Sequence, residues 1–575
     1  MPTNVKENGF ESSIVSWLVQ HNGYEQGSNA DYNKEIAMDE TRLFRFLNTT
    51  QADKMKQLRL ENDPLEKEKF LQRLDQSLHT NGVIDLLRKG FRYKHLVLDM
   101  FYVRPSPGNE TAAKLYAQNI FSVTRQLQYS RQNPLLALDV CLFLNGLPIA
   151  TMELKNQLTK QNAADAVKQY KDERTPDEVL FGFKRCIVHF AVDDNEVRMC
   201  TELKGQKSWF LPFNKGYNDG AGNPPNPDGI KTDYLWKEIL RKDDFSNIIE
   251  NYVQIICDED EETHKKSYKQ IFPRYHQLQL VTSLLADAKR DGVGKRYLIQ
   301  HSAGSGKSNS IAWLAHQLVT LKDATDHNIF DTVIVVTDRV NLDKQIRNTI
   351  RQFMQVSSTV GWAKDSSELG TLLEKGTKII ITIVHKFQFI LEDISKLHTN
   401  RSFAILIDEA HSSQNGDLST KMNIVLSGSE YDNDDLLEDK INTLIDGKKL
   451  AKNASYFAFT ATPKNKTLEV FGREEIQPDG SKRFFPHYVY TMKQAIEEHF
   501  IMDVLRYYTP IQSFYKLSKT VEDDPLFDKK KAQRLLRYYV ESNQYAIEQK
   551  AGIIVEHFHT EVIGRGKIGG RARAW

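Results

Sequence analysis

The sequence predicts an α/β protein with a parallel sheet, and three segments support that prediction. In the first, residues 296–308 (RYLIQHSAGSGKS), a short apolar stretch leads into a glycine-rich turn and then into a long helical pattern. The other two are apolar stretches at 403–411 (FAILIDEAH) and 456–463 (YFAFTATP), and polar side chains follow each of them. Polar groups at the ends of buried strands are placed where a phosphate site needs them.

The glycine-rich turn is expected to bind the phosphates of ATP. Glycines let backbone N–H groups turn inward around a triphosphate, and the following helix adds the positive end of its dipole. Lys307 can reach the β and γ phosphates, and Ser308 can ligate Mg²⁺. His301 stands where the general pattern has its first glycine, so the match depends on the second half of the motif. The expected phosphate-binding residues are Gly304, Ser305, Gly306, Lys307 and Ser308.

The second and third strands supply the remaining groups of the expected ATP site. Asp408 would hold the Mg²⁺ ion that Ser308 also contacts, and Glu409 would orient or deprotonate the attacking water. Thr460 and Thr462 are expected to sense the state of the nucleotide. Each segment alone could be a solvated turn or the edge of a core. The order and spacing of all three favour the nucleotide site.

A second group of candidate residues lies in the N-terminal part of the chain. Residues 135–157 (LLALDVCLFLNGLPIATMELKNQ) read as two apolar strands around Asn145-Gly146, a strong hairpin signal. Asp139 lies on the first arm, and Glu153 and Lys155, two residues apart on the second, share a face. Two carboxylates and a lysine on one face can bind Mg²⁺, position a water and balance charge on a phosphodiester. Charged residues in apolar strands are costly unless they have such a role.

The register of this hairpin decides whether the three charged residues meet. A two-residue loop at Asn145-Gly146 would place Asp139 opposite Met152 and leave Glu153 on the other face. A three-residue loop would place Asp139 opposite Thr151. Convergence is therefore expected only with the three-residue loop.

The motifs HSAGSGKS, DEAH and TAT together resemble motifs I, II and III of the superfamily two helicases and translocases. The resemblance implies a RecA-like motor domain that uses ATP and Mg²⁺, with His411 in the nucleotide-binding motif. Residues 272–281 (FPRYHQLQLV) resemble the motif that recognises adenine, with Gln277 as its reader, and residues 333–346 resemble motif Ia, which contacts a nucleic-acid backbone. A buried strand or an amphipathic helix is the alternative for these last two segments.

The spacing of Asp139, Glu153 and Lys155 resembles the PD-(D/E)xK nuclease core. A nuclease followed by a motor resembles the restriction and translocation (R) subunit of type I restriction-modification enzymes, nearly from end to end. That resemblance implies double-stranded DNA and the modification and specificity subunits as partners. It also implies ATP-dependent translocation of duplex DNA and Mg²⁺-dependent cleavage.

Two further residues are candidates through the resemblance alone. Glu11 matches an N-terminal helix carboxylate of the family, with an exposed helix-cap charge as the alternative. Tyr170 matches a tyrosine that the family places four residues after a glutamine, but Ala166 occupies the glutamine position here and Gln169 is adjacent to the tyrosine.

The expected organisation is a PD-(D/E)xK nuclease-like domain over residues 1–255, a first RecA-like motor domain over 256–480 and the incomplete beginning of a second over 481–575. The charged stretch 256–270 is expected to be a linker or a domain-entry helix. Because the arginine-bearing motifs of a second lobe have no counterpart, the chain is expected to be a fragment that binds ATP but translocates poorly. The alternatives are a nucleotide- and DNA-binding fragment without turnover, or a superfamily two remodelling helicase with a non-catalytic N-terminal domain.

The composition excludes several kinds of site but does not indicate a function. The 77 basic and 76 acidic residues balance, so any surface for nucleic acid must be local. The four cysteines show no metal-type pairing, and no apolar segment approaches the roughly 18 residues of a membrane span. A reduced, cytoplasmic protein is expected.

Overall fold

The computed structural model describes residues 7–105, 108–156, 159–259, 263–337, 350, 360–363, 366–383, 400–408, 451–503 and 544–563. The chain divides into two compact units, Met1–Ile501 and Met502–Trp575. In the described part of the first unit there are two seven-stranded sheets, one before and one after residue 254.

The elements of the N-terminal part surround the first sheet. Its helices are α1 (Glu7–Gln20), α2 (Glu40–Thr50), α3 (Ala52–Leu58), α4 (Pro64–Asn81), α5 (Val83–Lys89), α6 (Glu110–Tyr116), α7 (Ala163–Glu173) and α8 (Lys242–Asn251). Its strands are β1 (Glu25–Gln26), β2 (Tyr32–Asn33), β3 (Met38–Asp39), β4 (Phe91–Tyr93), β5 (Leu96–Leu98), β6 (Phe121–Gln128), β7 (Ala137–Leu144), β8 (Leu147–Leu154), β9 (Val188–Val192), β10 (Val197–Cys200) and β11 (Leu211–Pro212). Short 3₁₀ turns cover Asn29–Asp31 and Val179–Phe181, and a π-helical turn covers Leu235–Ile239.

The first sheet is mixed, with the strand order β1-β6-β7-β8-β9-β10-β11. Strands β6, β7 and β8 form an antiparallel meander, and β8 pairs with β9 in parallel. The parallel pair requires a crossover, which α7 provides. This helix begins in a capping box, in which Asn162 and Asp165 each satisfy the other's backbone N–H. Every residue of β8 is buried, so its charged residue lies inside the protein.

The hairpin between β7 and β8 has a two-residue loop and a bulge. Asn145 and Gly146 have φ values of 50° and 83°, the positive values that a type I′ turn needs. The pairing then shifts by one residue between Leu142 and Phe143, after which Val140 lies opposite Met152. Continuing this register places Asp139 across from Glu153 and on the same face. The prediction that convergence requires a three-residue loop was therefore wrong.

The bulge arises in the second strand, directly after a proline. Phe143 pairs with Pro148 and Leu142 with Ala150, so Ile149 is the extra residue. Proline has no N–H to donate to a ladder, and bulges are one of the places where a sheet accommodates it. Because of the extra residue, the side chain of Glu153 lies on the same face of the sheet as that of Asp139.

The part of the chain that follows residue 253 contains the second seven-stranded sheet, the helices around it and two separate two-stranded hairpins. Its helices are α9 (Tyr275–Asp291), α10 (Lys307–Thr320), α11 (Ser366–Glu374), α12 (Asn465–Phe471) and α13 (Met492–Glu497). The strands are β12 (Gln254–Glu259), β13 (Lys266–Ile271), β14 (Arg296–His301), β15 (Thr332–Thr337), β16 (Val360–Trp362), β17 (Ile379–Ile383), β18 (Phe403–Ile407), β19 (Ala454–Thr460), β20 (Arg473–Ile476), β21 (Lys482–Phe485) and β22 (Tyr488–Tyr490). The strand order of the sheet is β16-β17-β15-β18-β19-β14-β22, and each neighbouring pair is parallel.

The parallel sheet that the sequence predicts is thus confirmed. Strands such as β15 (TVIVVT) and β17 (IIITI) are rich in β-branched residues and almost wholly buried, as in sheets that helices cover on both faces. Strands β14, β18 and β19 are adjacent, so the ends that carry the three predicted motifs lie side by side.

Two details of the predicted organisation differ from the structure. Residues 256–259 and 266–270 lie in β12 and β13, which pair antiparallel, rather than in a linker or a helix. Strand β22, which lies beyond the predicted boundary at 480, pairs with β14 in the same sheet. The three-residue length of β22 gives too short a pattern to recognise in the sequence. The predicted domain ranges otherwise stay predictions.

The two sheets share apolar packing. The ring of Phe213, beyond β11, lies 5.9 Å from the ring of Phe272 and 5.7 Å from that of Tyr275, measured between centroids. Trp313 of α10 donates its indole N–H to the carbonyl of Tyr252 at 2.9 Å. One buried apolar cluster runs from α1 to β19, so the first unit has a core common to both sheets.

The second unit is described over a helix, α14 (Gln544–His557), and a following π-helical turn, Phe558–Ile563. Neither unit, over the residues described, contains a helix long and apolar enough to cross a membrane.

Candidate nucleotide and nuclease sites

The predicted phosphate loop joins β14 to α10. Gly304 and Gly306 have φ values of 72° and 88°, which are unfavourable for residues that carry a Cβ atom. Gly306 is also the N-cap of α10, and a Cβ atom there would lie 2.6 Å from Nε2 of Gln277. The turn therefore requires glycine at 306 for its backbone angle and for space.

His301 organises the inside of this loop. Its Nδ1 lies 2.6 Å from Oγ of Ser305, and that hydroxyl also donates to the carbonyl of Ser302. Burial lowers the pKa of His301 to about 3, so the ring is neutral at neutral pH. The residue that replaces the first glycine of the motif thus holds the turn together from within.

Lys307 and Asp408 come from different elements and meet at the loop. Lys307 begins α10 and Asp408 follows β18, and their Nζ and Oδ1 atoms are 3.9 Å apart. Burial lowers the pKa of Lys307, whereas the charge of Asp408 raises it. The backbone N–H of Asp408 donates to the carbonyl of Val336 at 2.9 Å and so fixes the strand end. The structure brings together the cation and the carboxylate that the sequence assigned to one ATP site.

The donor set at this loop suits Mg²⁺, which prefers oxygen ligands. The carboxylate of Asp408 and the hydroxyl of Ser308 are the residues that would hold the ion. Ser308 lies in the first turn of α10, next to Lys307. The described residues of this part contain no cluster of three or more acidic, histidine or cysteine side chains, so water and phosphate oxygens would complete the coordination.

Gln277, the predicted reader of adenine, contacts the phosphate loop. Its Nε2 donates to the carbonyl of Gly306 at 3.0 Å, and its Oε1 accepts from the backbone N–H of Arg274 at 3.1 Å. The side chain is almost fully buried. Its place beside the loop fits a nucleotide role, and recognition of adenine stays a prediction.

The remaining predicted nucleotide residues are only partly described. Thr460 ends β19 fully buried and pairs with Gln300, whereas Thr462 is exposed and its N–H donates to Oγ1 of Thr460 at 3.3 Å. Glu409, His411 and residues 338–346 of the predicted motif Ia lie outside the described residues.

The predicted nuclease residues lie on one face of the first sheet. Oδ2 of Asp139 accepts the backbone N–H of Leu154 at 2.7 Å, which ties the first carboxylate to the strand that carries the second. Glu153 is fully buried and Lys155 nearly so. Burial raises the pKa of Glu153 to about 8, and the charge of Asp139 acts in the same direction. Lys155 opposes that shift, so all three charges interact.

Arg174 completes this group, although the sequence motif does not contain it. Its Nε donates to Oε1 of Glu153 at 2.6 Å, its Nη1 to the hydroxyl of Tyr129 at 3.0 Å and its Nη2 to the carbonyl of Ala137 at 2.9 Å. The side chain is 2% exposed. Arg174 follows the last residue of α7, and the only signal in the sequence was an arginine one turn after Tyr170.

Tyr170 contacts the strand that carries Glu153, and burial together with the charge of Glu153 raises the pKa of its hydroxyl. It is fully buried, and its hydroxyl hydrogen-bonds Oγ1 of Thr151 at 2.8 Å. Thr151 in turn contacts Nδ1 of His189 at 2.7 Å. The ring of Tyr170 packs in an apolar cluster with residues of α7, and the direct hydrogen bond to Glu153 comes from Arg174.

Glu11 is connected to the site through Gln126. It is 2% exposed, which excludes the alternative of an exposed helix-cap charge. Its Oε1 accepts from Arg125 at 2.6 Å, and its Oε2 accepts from Nε2 of Gln126 at 2.9 Å. The same Nε2 lies 3.2 Å from Oδ1 of Asp139. Gln126 has a φ of 44°, so the strand bends at the residue that joins the two carboxylates.

The donor set of this site also fits a divalent cation. Oε2 of Glu153 is buried and accepts no hydrogen bond from the residues that the structure describes. A buried oxygen without a donor is costly unless a cation or a proton meets it. Asp139 and Glu153 are the residues that would hold Mg²⁺, and their carboxylates are the ligands it prefers.

Family comparisons cover most of the chain. Residues 4–208 match the family described as type I restriction enzyme R protein N terminus, and residues 276–535 match the SWI2/SNF2 ATPase family. One curated relative is the type I restriction enzyme HindI endonuclease subunit of Haemophilus influenzae, 26% identical over 62% of this chain and 33% of the relative. Another is a type I restriction enzyme endonuclease subunit of Staphylococcus aureus strain MSSA476, 25% identical over 81% of this chain and 45% of the relative. The chain therefore spans a third to under a half of these relatives.

Solved structures show partial similarity. The Type ISP restriction-modification enzyme LlaBIII bound to DNA is 13% identical with a TM-score of 0.27, over 43% of this chain and 17% of that one. The SWI2/SNF2 ATPase core of Sulfolobus solfataricus in complex with double-stranded DNA is 17% identical with a TM-score of 0.21, over 32% of this chain and 31% of that one.

Proposed function

We propose that this chain, which belongs to the R subunits of type I restriction enzymes, couples ATP hydrolysis to translocation of duplex DNA and to Mg²⁺-dependent cleavage of that DNA. The curated relatives are named endonuclease subunits of such enzymes, which supports the cleavage part of the proposal. The match to the SWI2/SNF2 ATPase family supports the use of ATP.

The observation that carries the proposal is the group around Glu153. Glu153 is fully buried beside a second carboxylate and a lysine, and one of its oxygens has no donor among the described residues. Such a group is arranged for chemistry rather than for stability. A remodelling helicase with a non-catalytic N-terminal domain has no use for such a group. Its presence therefore favours the nuclease over that alternative.

In the proposed reaction, water attacks the phosphorus of a phosphodiester and one P–O bond breaks. Bound Mg²⁺ would supply a polarised water and neutralise charge on the phosphate. Asp139 and Glu153 would hold the ion, and Lys155 would balance the negative charge that develops on the phosphate oxygens. Arg174 holds Glu153 in place through Oε1, and Oε2 is the oxygen that would be available to the ion.

At the ATP site, Lys307 would contact the β and γ phosphates. Ser308 and Asp408 would hold Mg²⁺, and Glu409 would orient the attacking water. The 3.9 Å separation of Lys307 and Asp408 supports this arrangement, because it places a cation for the phosphates and a carboxylate for the ion at the same loop. The two side chains would move apart to admit the phosphate and its ion. Double-stranded DNA and the modification and specificity subunits are the proposed partners, and the cytoplasm is the location expected from them.

The test is cleavage of a plasmid that carries the recognition site, by the chain together with its partner subunits, ATP and Mg²⁺. Asp139→Asn and Lys155→Ala are expected to abolish cleavage and to leave ATP affinity unchanged. Lys168→Ala, a change at another lysine of the same domain, serves as the control. Cleavage at the wild-type rate by Asp139→Asn would refute the nuclease assignment.

A further inference from the structure

A groove on the N-terminal domain is lined by positive charge. It lies between α4 and β4, has a volume of about 680 Å³ and is open to solvent. Its cations come from α4, from the end of α5, from β4 and from the β4–β5 turn, and they are Lys69, Arg73, Lys89, Arg92 and Lys94. All five are exposed, and Asp85 is the single acid among the described residues that line the groove.

The acids near this groove are already paired. Asp85 accepts from Lys89 at 2.8 Å, and Glu66 accepts from Lys94 and from the hydroxyl of Tyr93. Asp75, on another side of α4, pairs with Arg185 at 2.7 Å. Among the described side chains, no acid lies within ion-pair distance of Lys69, Arg73 or Arg92. The groove therefore keeps a positive field that the protein does not neutralise.

The neighbouring groove shows that this charge is local. That second groove, of about 1190 Å³, is lined by four cations and four acids: Lys34, Lys56, Arg59 and Lys67, with Asp31, Glu35, Glu40 and Glu61. The whole chain has a net charge of only +1. An excess of cations in one groove of a neutral protein indicates an anionic partner.

The positive groove is elongated, as an extended polyanion requires. Lys69, Arg73 and Thr80 lie at spacings of four and seven residues, on one face of α4. From residue 69 to residue 80 the helix advances roughly 16 Å, about the rise of five phosphates along one DNA strand. Between the cations, Gln76 and Ser77 add polar groups that can bind phosphate oxygens. A single phosphate would occupy only part of this length.

We propose that the groove between α4 and β4 binds the phosphate backbone of duplex DNA, outside the two sites described above. Arg73 and Arg92 are the central contacts, because neither has an acidic partner and each presents a planar fork to phosphate. The proposal depends on the proposed function only in that duplex DNA is the substrate. Binding here would be independent of sequence, since phosphate contacts carry no base information.

The test is the salt dependence of binding by the full chain to a fluorescent duplex without a recognition site. Arg73→Gln with Arg92→Gln removes two cations from the groove, and Lys34→Gln with Lys56→Gln removes two from the balanced groove. For B-DNA the slope of log K against log salt is about −0.9 per neutralised phosphate, so the first pair should reduce the slope by about 1.8. The second pair should leave it unchanged.

Three results would overturn the proposal: absence of duplex binding by the wild-type chain, an unchanged slope in the Arg73 and Arg92 pair, or equal loss in both pairs. Loss of binding to a partner subunit with unchanged duplex binding would assign the groove to a protein and equally overturn it. Measuring ATP affinity and plasmid cleavage in the same variants separates this test from that of the proposed function. ATP affinity is expected to stay at the wild-type value even if the groove releases DNA.

Discussion

Arg174 and Glu153 form an ion pair of 2.6 Å in which both side chains are almost completely buried. The arginine stands at the end of a helix and the glutamate in the middle of a sheet, so the pair fixes α7 to the face of the sheet that carries the charged residues. The other nitrogens of the guanidinium bind Tyr129 and Ala137, which leaves the arginine one orientation.

Above about pH 8, Arg174→Met should destabilise the protein by about 3 kcal/mol or more, because Glu153 is charged there and would be buried without its partner. The same change should raise the pKa of Glu153 and move the pH profile of cleavage to higher pH. Urea unfolding and the pH dependence of plasmid cleavage are the measurements. Arg174→Lys, which keeps the charge, should recover part of the pH profile. If the profile of Arg174→Met matches the wild type, the arginine only stabilises the fold.

The raised pKa of Glu153 makes stability depend on pH in a definite direction. The folded chain holds this proton up to about pH 8, whereas an unfolded chain releases it near the ordinary glutamate value of about 4.3. The folded state therefore binds more protons in that window, and its stability should fall as the pH rises through it. Glu153→Gln should remove this fall. Thermal unfolding of both proteins between pH 5 and pH 8, without divalent ions, measures it; parallel curves would contradict the prediction.

Added Mg²⁺ should counteract the same effect. An ion on Oε2 favours the charged form of Glu153, so Mg²⁺ should raise the melting temperature of the wild type most at the upper end of the pH window. Glu153→Gln should respond less, and the difference isolates the ion at this site from the one at the ATP loop. Equal responses in the two proteins would show that Glu153 does not meet the ion.

Lys307→Ala should weaken ATP binding roughly 10- to 100-fold, as expected for the loss of a hydrogen bond to a charged group. The chain should stay folded, since the residue begins a helix and its side chain faces the site. Titration with a fluorescent ATP analogue gives the affinity. Lys289→Ala, on the exposed side of α9, is the matched control. Wild-type affinity in Lys307→Ala would contradict the phosphate-loop assignment.

Gly306→Ala should impair the same loop for a different reason. The positive φ of 88° disfavours alanine by about 1 kcal/mol, and the added Cβ would press on Nε2 of Gln277. Both effects should lower ATP affinity, and the positions of Asp139, Glu153 and Lys155 should change little. Gly292→Ala, also at a positive φ but with open space around its Cβ, controls for backbone strain. If the two variants bind ATP equally well, the contact with Gln277 has no role in the loop.

The ATP loop followed from the sequence because parallel strands bring their ends to one edge. Lys307 and Asp408 are 101 positions apart, yet each follows a buried strand of the predicted parallel sheet. That placement predicts that the two side chains meet. The hairpin of β7 and β8 was predicted less well, because Pro148 and the extra residue Ile149 shift the register in a way that loop length does not reveal. Arg174 was missed because a long side chain at a helix end can reach several places, and no spacing rule fixes which.

The rings of Phe213, Phe272 and Tyr275 connect the packing of the first sheet to the phosphate loop of the second. Tyr275 is the first residue of the helix that carries Gln277, so the aromatic contact lies two residues from a side chain that touches the phosphate loop. A substitution at Phe213 beside the first sheet should therefore alter the nucleotide affinity of the loop on the second sheet. The sequence at Phe213 is therefore expected to be constrained by Phe272 and Tyr275, because a change in the size of one ring requires a compensating change in a ring that packs against it.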